Sequence, residues 1–275
     1  AEKKINILFF LKNKKKSADL KLLLEKKYDI KVDYFLSDFS DLNSIKIAIQ
    51  NLLKKNITID CLVNNAGKVY FSYGKTKDNL ERSFQINYLS HFYLAEKLIQ
   101  EKVLLENSQV LNVSSVAHSP NSSINSLDNI KHKKLVGQIN FEDINYEKEK
   151  LRGFTGLFYS RSKMSQIMWT YHRSKSLKSI KINSIHPGLL GSNVIFDNGL
   201  LGKILTPLFK LFFRSSKEGA KNIMFVIEKI SQEKITGKYF DERVISQSHE
   251  FSYVTENQKK LFEISKKLLS EREID

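Results

Sequence analysis

Residues 59–67 read IDCLVNNAG, a short apolar run that stops at two asparagines, an alanine and a glycine. It is followed by a long helical pattern over residues 79–100, NLERSFQINYLSHFYLAEKLIQ. The same alternation continues on both sides. Upstream, KVDYFLSD (31–38) leads into SIKIAIQNLLKK (44–55), where Ile45, Ile49, Leu52 and Leu53 share a helical face. Further upstream, INILFFL (5–11) precedes the leucine-bearing segment SADLKLLLEKKY (17–28). Downstream, QVLNVSS (109–115), KINSIHPG (181–188) and TGKYFDE (236–242) read as further strands. Strand and helix alternating at this spacing predict βαβ units, hence an α/β fold with a doubly wound parallel sheet of Rossmann type.

Composition fits that class. The chain has 275 residues, of which 41% are hydrophobic and 27% charged. A chain of this length buries about 75% of its unfolded surface and needs no disulfide or metal to fold. Cys61 is the only cysteine, which excludes an internal disulfide and fits a reducing compartment, cytoplasmic or membrane-associated. The formal charge of +15 raises nucleic acid as a partner, but the lysines are dispersed and no helix-turn-helix, zinc-ligand or RNA-binding aromatic signature accompanies them. No nucleic-acid partner is expected. The chain reads as one domain over 1–275 with two interruptions: a polar surface insertion at 119–134 and an apolar segment at 198–214. The second has two readings, a helical hairpin closing over a pocket and a lid that meets lipid or a lipid-like substrate.

Residues 159–163, YSRSK, carry the chemistry. They open a helix that runs on without Pro or Gly, and residues four apart on a helix share a face, so Tyr159 and Lys163 point the same way. At about 5 Å and an effective dielectric near 20, a fixed cation favours a phenolate by about 3 kcal/mol. That predicts a tyrosine lowered by about two units from its usual value near 10, suited to general acid–base work at neutral pH. NNAG (64–67), NVSS (112–115) and HPG (186–188) each end a predicted strand, and ligands of open α/β sheets bind beyond the carboxyl ends of the strands.

NNAG, Asn87 within a helix, NVSS, Tyr-x-x-x-Lys and PG, in that order, resemble the short-chain dehydrogenase/reductases. The details FQINYLSHFYLAEKL, LNVSSVAH and SIHPG are most similar to the retinol dehydrogenase-like branch. The resemblance implies that Tyr159 is the acid–base and that Lys163 tunes it and binds the nicotinamide ribose. It implies that Ser115 hydrogen-bonds the substrate oxygen and that Asn87 holds a water in a proton path to Lys163. For the cofactor it implies Asp38 and Phe39 at the adenine, and Asn65, Ala66 and Gly67 along the adenosine. Val113, Pro187, Gly188 and Leu190 are to border the nicotinamide, with Ser192 where the family usually has a threonine. Asn64 reads as a sheet-stabilising amide, and His118 and His186 as structural. Lys12, at the end of the first predicted strand, stands in place of an acid that would bind a ribose 2′-hydroxyl, so NADP is expected in preference to NAD.

The implied activity is an NADP(H)-dependent interconversion of an alcohol with an aldehyde or ketone, on a bulky apolar small molecule such as a retinoid, steroid or lipid aldehyde. The alternative is a non-catalytic relative that keeps the fold as a scaffold. The family's glycine-rich pyrophosphate loop belongs between a first strand and a first helix. Here the first glycine is Gly67, and residues 5–11 resemble the family's second strand. The expectation is therefore a piece of a longer protein whose front carries the first strand, a TGxxxGIG-like loop and any membrane-contacting segment. A native intact mass equal to 31.9 kDa would refute it.

Overall fold

The computed structural model describes residues 4–70, 72–122, 134–148, 156–191, 199, 203–207 and 214–274. Of the two predicted interruptions, 123–133 and most of 198–214 lie outside the described residues, and so does Ser192. Strand and helix alternate as the periodicity predicts: β1 (Ile7–Leu11), α1 (Lys14–Lys27), β2 (Val32–Leu36), α2 (Leu42–Leu53) and β3 (Ile59–Asn64). A long helix, α3, follows in three joined parts: Arg82–Phe84, a π-helical segment Gln85–Leu89, and Ser90–Gln100. Then come β4 (Leu104–Val113), α4 (Leu157–Ser174), β5 (Lys181–His186), α5 (Ser216–Glu233), β6 (Tyr239–Asp241), β7 (Val244–Ser246) and α6 (Thr255–Ser270). The architecture is mixed α/β with a mainly parallel, Rossmann-like sheet.

Hydrogen bonding divides the strands into two sheets. One pairs β1 with β2, and the other runs β3-β4-β5-β6-β7. All pairings are parallel except β6–β7, a hairpin turned at Glu242, whose φ of 54° is left-handed. The antiparallel strand β7 went unpredicted, because VIS is too short to show a period. In β1, the Ile7 amide and the Leu11 carbonyl both bond toward the β2 side. Alternate residues of a parallel strand serve alternate neighbours, so Leu8 and Phe10 turn their backbone groups to the opposite edge. Among the described residues, β1 has no second strand neighbour and β3 pairs only with β4.

One apolar core nevertheless spans both sheets. Ile45, Ala48, Ile49 and Leu52 of α2 form the buried stripe that the spacing predicts, and they join Phe35, Leu62, Val110, Ile182 and the buried face of α3. Leu8 and Phe10 pack on the same cluster from β1. Leu111, Ile185 and Phe240 face α5 on the other side of the five-stranded sheet, against Val226 and Ile230. α6 lies on α3 and α4: Phe262 meets Phe92 edge-on at 5.5 Å, and the Tyr88 hydroxyl reaches Ser265 Oγ at 2.8 Å.

Candidate active site

A row of buried polar groups pins the site to the sheet. Asn64 Nδ2 donates to Asn112 Oδ1 at 2.8 Å, and Asn112 Nδ2 donates to Thr170 Oγ1 at 2.9 Å. Ser184 Oγ lies 2.6 Å from the same threonine oxygen. These residues sit on β3, β4, α4 and β5, and all are at most 2% exposed. Asn64 is thus the sheet-stabilising amide expected of it. Beyond the row, Ser114 Oγ donates to the Lys163 carbonyl at 2.9 Å, clamping the end of β4 to α4 one turn above Tyr159.

The two central residues then meet. The Ser115 hydroxyl stands beside the Tyr159 phenol and favours its phenolate, and Ser115 Oγ accepts from the Ala117 amide at 3.2 Å as the cap of a 3₁₀ turn, Val116–His118. Lys163 shares the face of α4 that carries Tyr159, with its ammonium 5.5 Å from the tyrosine ring centroid. Its hydrogen bonds go elsewhere: to the Val113 carbonyl at 2.7 Å and to Gln166 Oε1 at 3.1 Å.

The electrostatics correct one expectation. Burial pushes the Tyr159 phenol up to about 12, against the Ser115 hydroxyl that favours the phenolate. The lysine does not pull it down. Burial of Lys163 lowers its own ammonium to about 7. Spacing put the two side chains together, but the spacing argument took the cation as fixed and solvated, and desolvation of both partners dominates here.

Asn87 lies in the π-helical segment of α3, where widened backbone geometry recurs at functional sites. The helix is capped by Glu81, whose carboxylate accepts from the Ser83 and Phe84 amides, each at 2.8 Å. The Asn87 side chain grips the loop after β3, accepting from the Lys68 amide at 2.8 Å and donating to the Lys68 carbonyl at 2.9 Å. It also donates to Ser162 Oγ at 3.0 Å, which ties it to α4. The direct role of this amide is to hold the Gly67 loop beside Lys163.

Gly67 tests whether a dinucleotide fits. A methyl group built there would lie 3.2 Å from Asn87 Oδ1 and 3.6 Å from Lys163 Nζ, so the glycine backbone packs closely against the amide and the buried amine. The close backbone approach at Gly67, the exposed Asn65 and Ala66 before it and the lysine amine beside it fit a dinucleotide passing along this loop, with its adenosine side at Asn65, Ala66 and Gly67 as the resemblance implies. At the far end, Lys12 Nζ lies 2.7 Å from Asp38 Oδ2. Burial pushes the Asp38 carboxyl up, but the bonds from Lys12 and Ser40 outweigh it and hold the group below the usual range. The Phe39 carbonyl accepts from Ser90 Oγ, and its ring meets His91 edge-on at 4.9 Å.

The remaining expected residues divide. Pro187 is buried, with its carbonyl on Asn222 Nδ2 at 3.0 Å, and Gly188 takes a φ of 102° that glycine alone adopts easily. The Leu190 side chain turns from the site to α5, where a methyl on Gly219 would fall 2.4 Å from its Cδ1. Its side chain is therefore a packing group, placed by the close approach of α5. Sequence reasoning missed Gln166 and Ser162. Gln166 follows Lys163 by one helical turn, the one signal that could have found it.

Comparisons with known proteins agree with this geometry. The sequence profile of the short chain dehydrogenase family matches residues 1–126. Human retinol dehydrogenase 12 is 30% identical over 207 residues, 74% of this chain and 59% of that protein. Mouse retinol dehydrogenase 13 is 30% identical over 211 residues, 74% of this chain and 58% of that protein. The chain thus spans about three fifths of the length of these curated relatives. Among solved structures, NADPH-bound carbonyl reductase from chicken fatty liver superposes with a TM-score of 0.57 at 18% identity, covering 88% of this chain and 86% of that one. The profile match over residues 1–126 and the relatives thus make the chain similar to the short-chain dehydrogenase/reductases.

Proposed function

We propose that the chain forms the catalytic part of an NADP(H)-dependent oxidoreductase that interconverts an alcohol with an aldehyde or ketone. The observation that carries this reading is the Tyr159 phenol placed beside the Ser115 hydroxyl and 5.5 Å, ring centroid to nitrogen, from the buried Lys163 amine. NADP, when bound, supplies or accepts the hydride at the carbon of the reacting C–O group. In reduction, Tyr159 gives its phenolic proton to the carbonyl oxygen as that oxygen gains charge, and Ser115 donates a hydrogen bond to the same atom. In oxidation the proton returns to Tyr159. Lys163 is placed to hold the cofactor ribose, and Asn87 fixes the Gly67 backbone beside it. The Lys12 ammonium favours a cofactor bearing a 2′-phosphate.

The names of the relatives, retinol dehydrogenases, support a bulky apolar substrate such as a retinoid, steroid or lipid aldehyde. No described helix is long and apolar enough to cross a membrane. The deciding experiment measures NADPH and NADH turnover with retinaldehyde, a steroid ketone and a medium-chain aldehyde, using the parental protein and Tyr159→Phe. Parental turnover that drops at least about 100-fold in the variant, with NADPH still bound, supports the mechanism. A variant as fast as its parent removes it.

A further inference from the structure

We propose that His118 is a positioning residue, which holds Ser115 in line with Tyr159 and couples that alignment to the C-terminal turn Glu250–Tyr253. The inference rests on the oxidoreductase reading above for its kinetic consequence, and on the coordinates for its geometry.

His118 closes the 3₁₀ turn that Ser115 opens, and it is 2% exposed. Its ring makes two bonds of opposite sense. Nδ1 lies 2.6 Å from the Ser115 carbonyl oxygen, which can only accept, so Nδ1 carries the proton. Nε2 receives the backbone amide of His249 at 3.1 Å, so it must present a lone pair. Only the neutral Nδ1–H tautomer satisfies both, and neither a cation nor the other tautomer does. The ring is also held edge-on to Tyr239 at 5.0 Å.

This ring joins three parts of the site. On one side it fixes the backbone of Ser115, whose hydroxyl meets the Tyr159 phenol. On the second it receives His249, which caps the turn Glu250–Tyr253. On the third, the His118 carbonyl presses on Gly137: a methyl there would lie 2.2 Å from that oxygen. Gly137, at φ 71°, donates its amide to Ser160 Oγ at 3.1 Å, next to Tyr159. Ser115 is thus held by the imidazole, while the chain beside Tyr159 meets the backbone carbonyl of the same residue through Gly137. The Ser115 carbonyl also accepts from the His118 amide at 3.2 Å and its Oγ from the Ala117 amide, so the ring completes a turn in which misplacing a reacting group by about 1 Å costs about 100-fold in rate.

The test uses amide side chains that mimic one ring nitrogen each. In His118→Asn the amide nitrogen takes the place of Nδ1 and keeps the bond to Ser115. In His118→Gln the amide takes the place of Nε2 and keeps only the bond to His249. With full-length protein, NADPH and all-trans-retinaldehyde as the probe pair, His118→Gln and His118→Ala are expected to lose about 10- to 100-fold in kcat, with the NADPH KM within about threefold. His118→Asn is expected to stay within about threefold of the parent. On the C-terminal side, His249→Pro removes the amide donor at a φ of −60° that proline accepts, and it should lower kcat relative to His249→Ala, which keeps the donor. Equal kcat across the three His118 variants overturns the proposal, and so does His118→Asn falling with the other two. Nitrogen chemical shifts give a readout independent of turnover: His118 is expected as the Nδ1–H tautomer, with Ala117 amide exchange slow in the parent and in His118→Asn, and faster in His118→Gln. An Nε2–H tautomer overturns the positioning role. If the parent does not reduce the aldehyde but the tautomer and exchange pattern hold, the functional reading falls and the positioning geometry stands.

Discussion

The Lys163 amine lies 2.7 Å from the carbonyl oxygen of Val113, the last residue of the strand that leads to Ser115. The lysine therefore locks α4 to β4 as well as standing over the tyrosine ring. A group that is charged in water and buried here is a stability sensor, because the unfolded chain holds its proton to higher pH.

The sign follows from burial. Lys163 is lowered from 10.5 to about 7 in the fold, so between pH 7 and 10.5 the unfolded chain binds a proton that the folded protein does not. Stability contributed by this group rises with pH across that window, by about 1.4 kcal/mol per unit at most. Urea unfolding at pH 7, 8 and 9 is expected to show the rise in the parent and a flatter profile in Lys163→Met. Parallel profiles would refute the assignment.

Three buried histidines set the acid limit. Burial pushes His91 down to about 3, helped by the positive charge of Lys163, and it pushes His118 and His186 down to about 4. All three fold in the neutral form and take up protons on unfolding below pH 6.5, so stability falls as pH drops from 6.5 toward 4. The melting temperature is expected to fall steeply over that range. A flat melting temperature from pH 6.5 to 4.5 would contradict neutral burial.

Asn112 is the hinge of the polar row across the sheet. In Asn112→Ala, Asn64 Nδ2 loses the oxygen it donates to and Thr170 loses a donor, both in fully buried surroundings. An orphaned buried polar group costs about 1–3 kcal/mol. Thr170 keeps Gln166 and Ser184 as partners, so we expect a loss of about 1–3 kcal/mol in urea unfolding, from the one orphaned donor of Asn64. A loss below about 1 kcal/mol would mean that the row relaxes without cost.

Lys12 separates affinity from stability. Its side chain is 72% exposed and its partner is Asp38, and an exposed pair of this kind contributes at most about 1 kcal/mol. Lys12→Ala should leave the melting temperature nearly unchanged. The ratio of kcat/KM for NADPH over NADH should fall by about 10- to 100-fold, the value of one charge-assisted hydrogen bond. An unchanged ratio would place the 2′-phosphate away from Lys12.

Much of this arrangement was legible in the chain, for reasons that differ by residue. β3 and α2 showed themselves because a buried run and a 3.6-residue stripe leave periods of their own. Tyr159 and Lys163 showed themselves through a four-residue helical spacing, whereas Ser115 was singled out only by the resemblance that the set of motifs carries. The direction of the tyrosine shift was not legible, since spacing fixes neighbours and says nothing of how much water reaches them. The π-helical turn at Asn87 was hidden because one widened turn barely disturbs an apolar stripe. His118 reads as structural because no metal-ligand residues stand at useful spacing, and the partner that gives its ring a second task, His249, lies 131 residues away.

The break between the two sheets bears on how the molecule behaves at concentration. The outer side of β1, with the peptide groups of Leu8 and Phe10, is a ready template for any extended segment that comes alongside, as is the free side of β3. With these edges unpaired among the described residues, the protein should form oligomers as concentration rises, through backbone pairing that is indifferent to the chemistry at Tyr159. A peptide able to lie along that border should return the preparation to monomers.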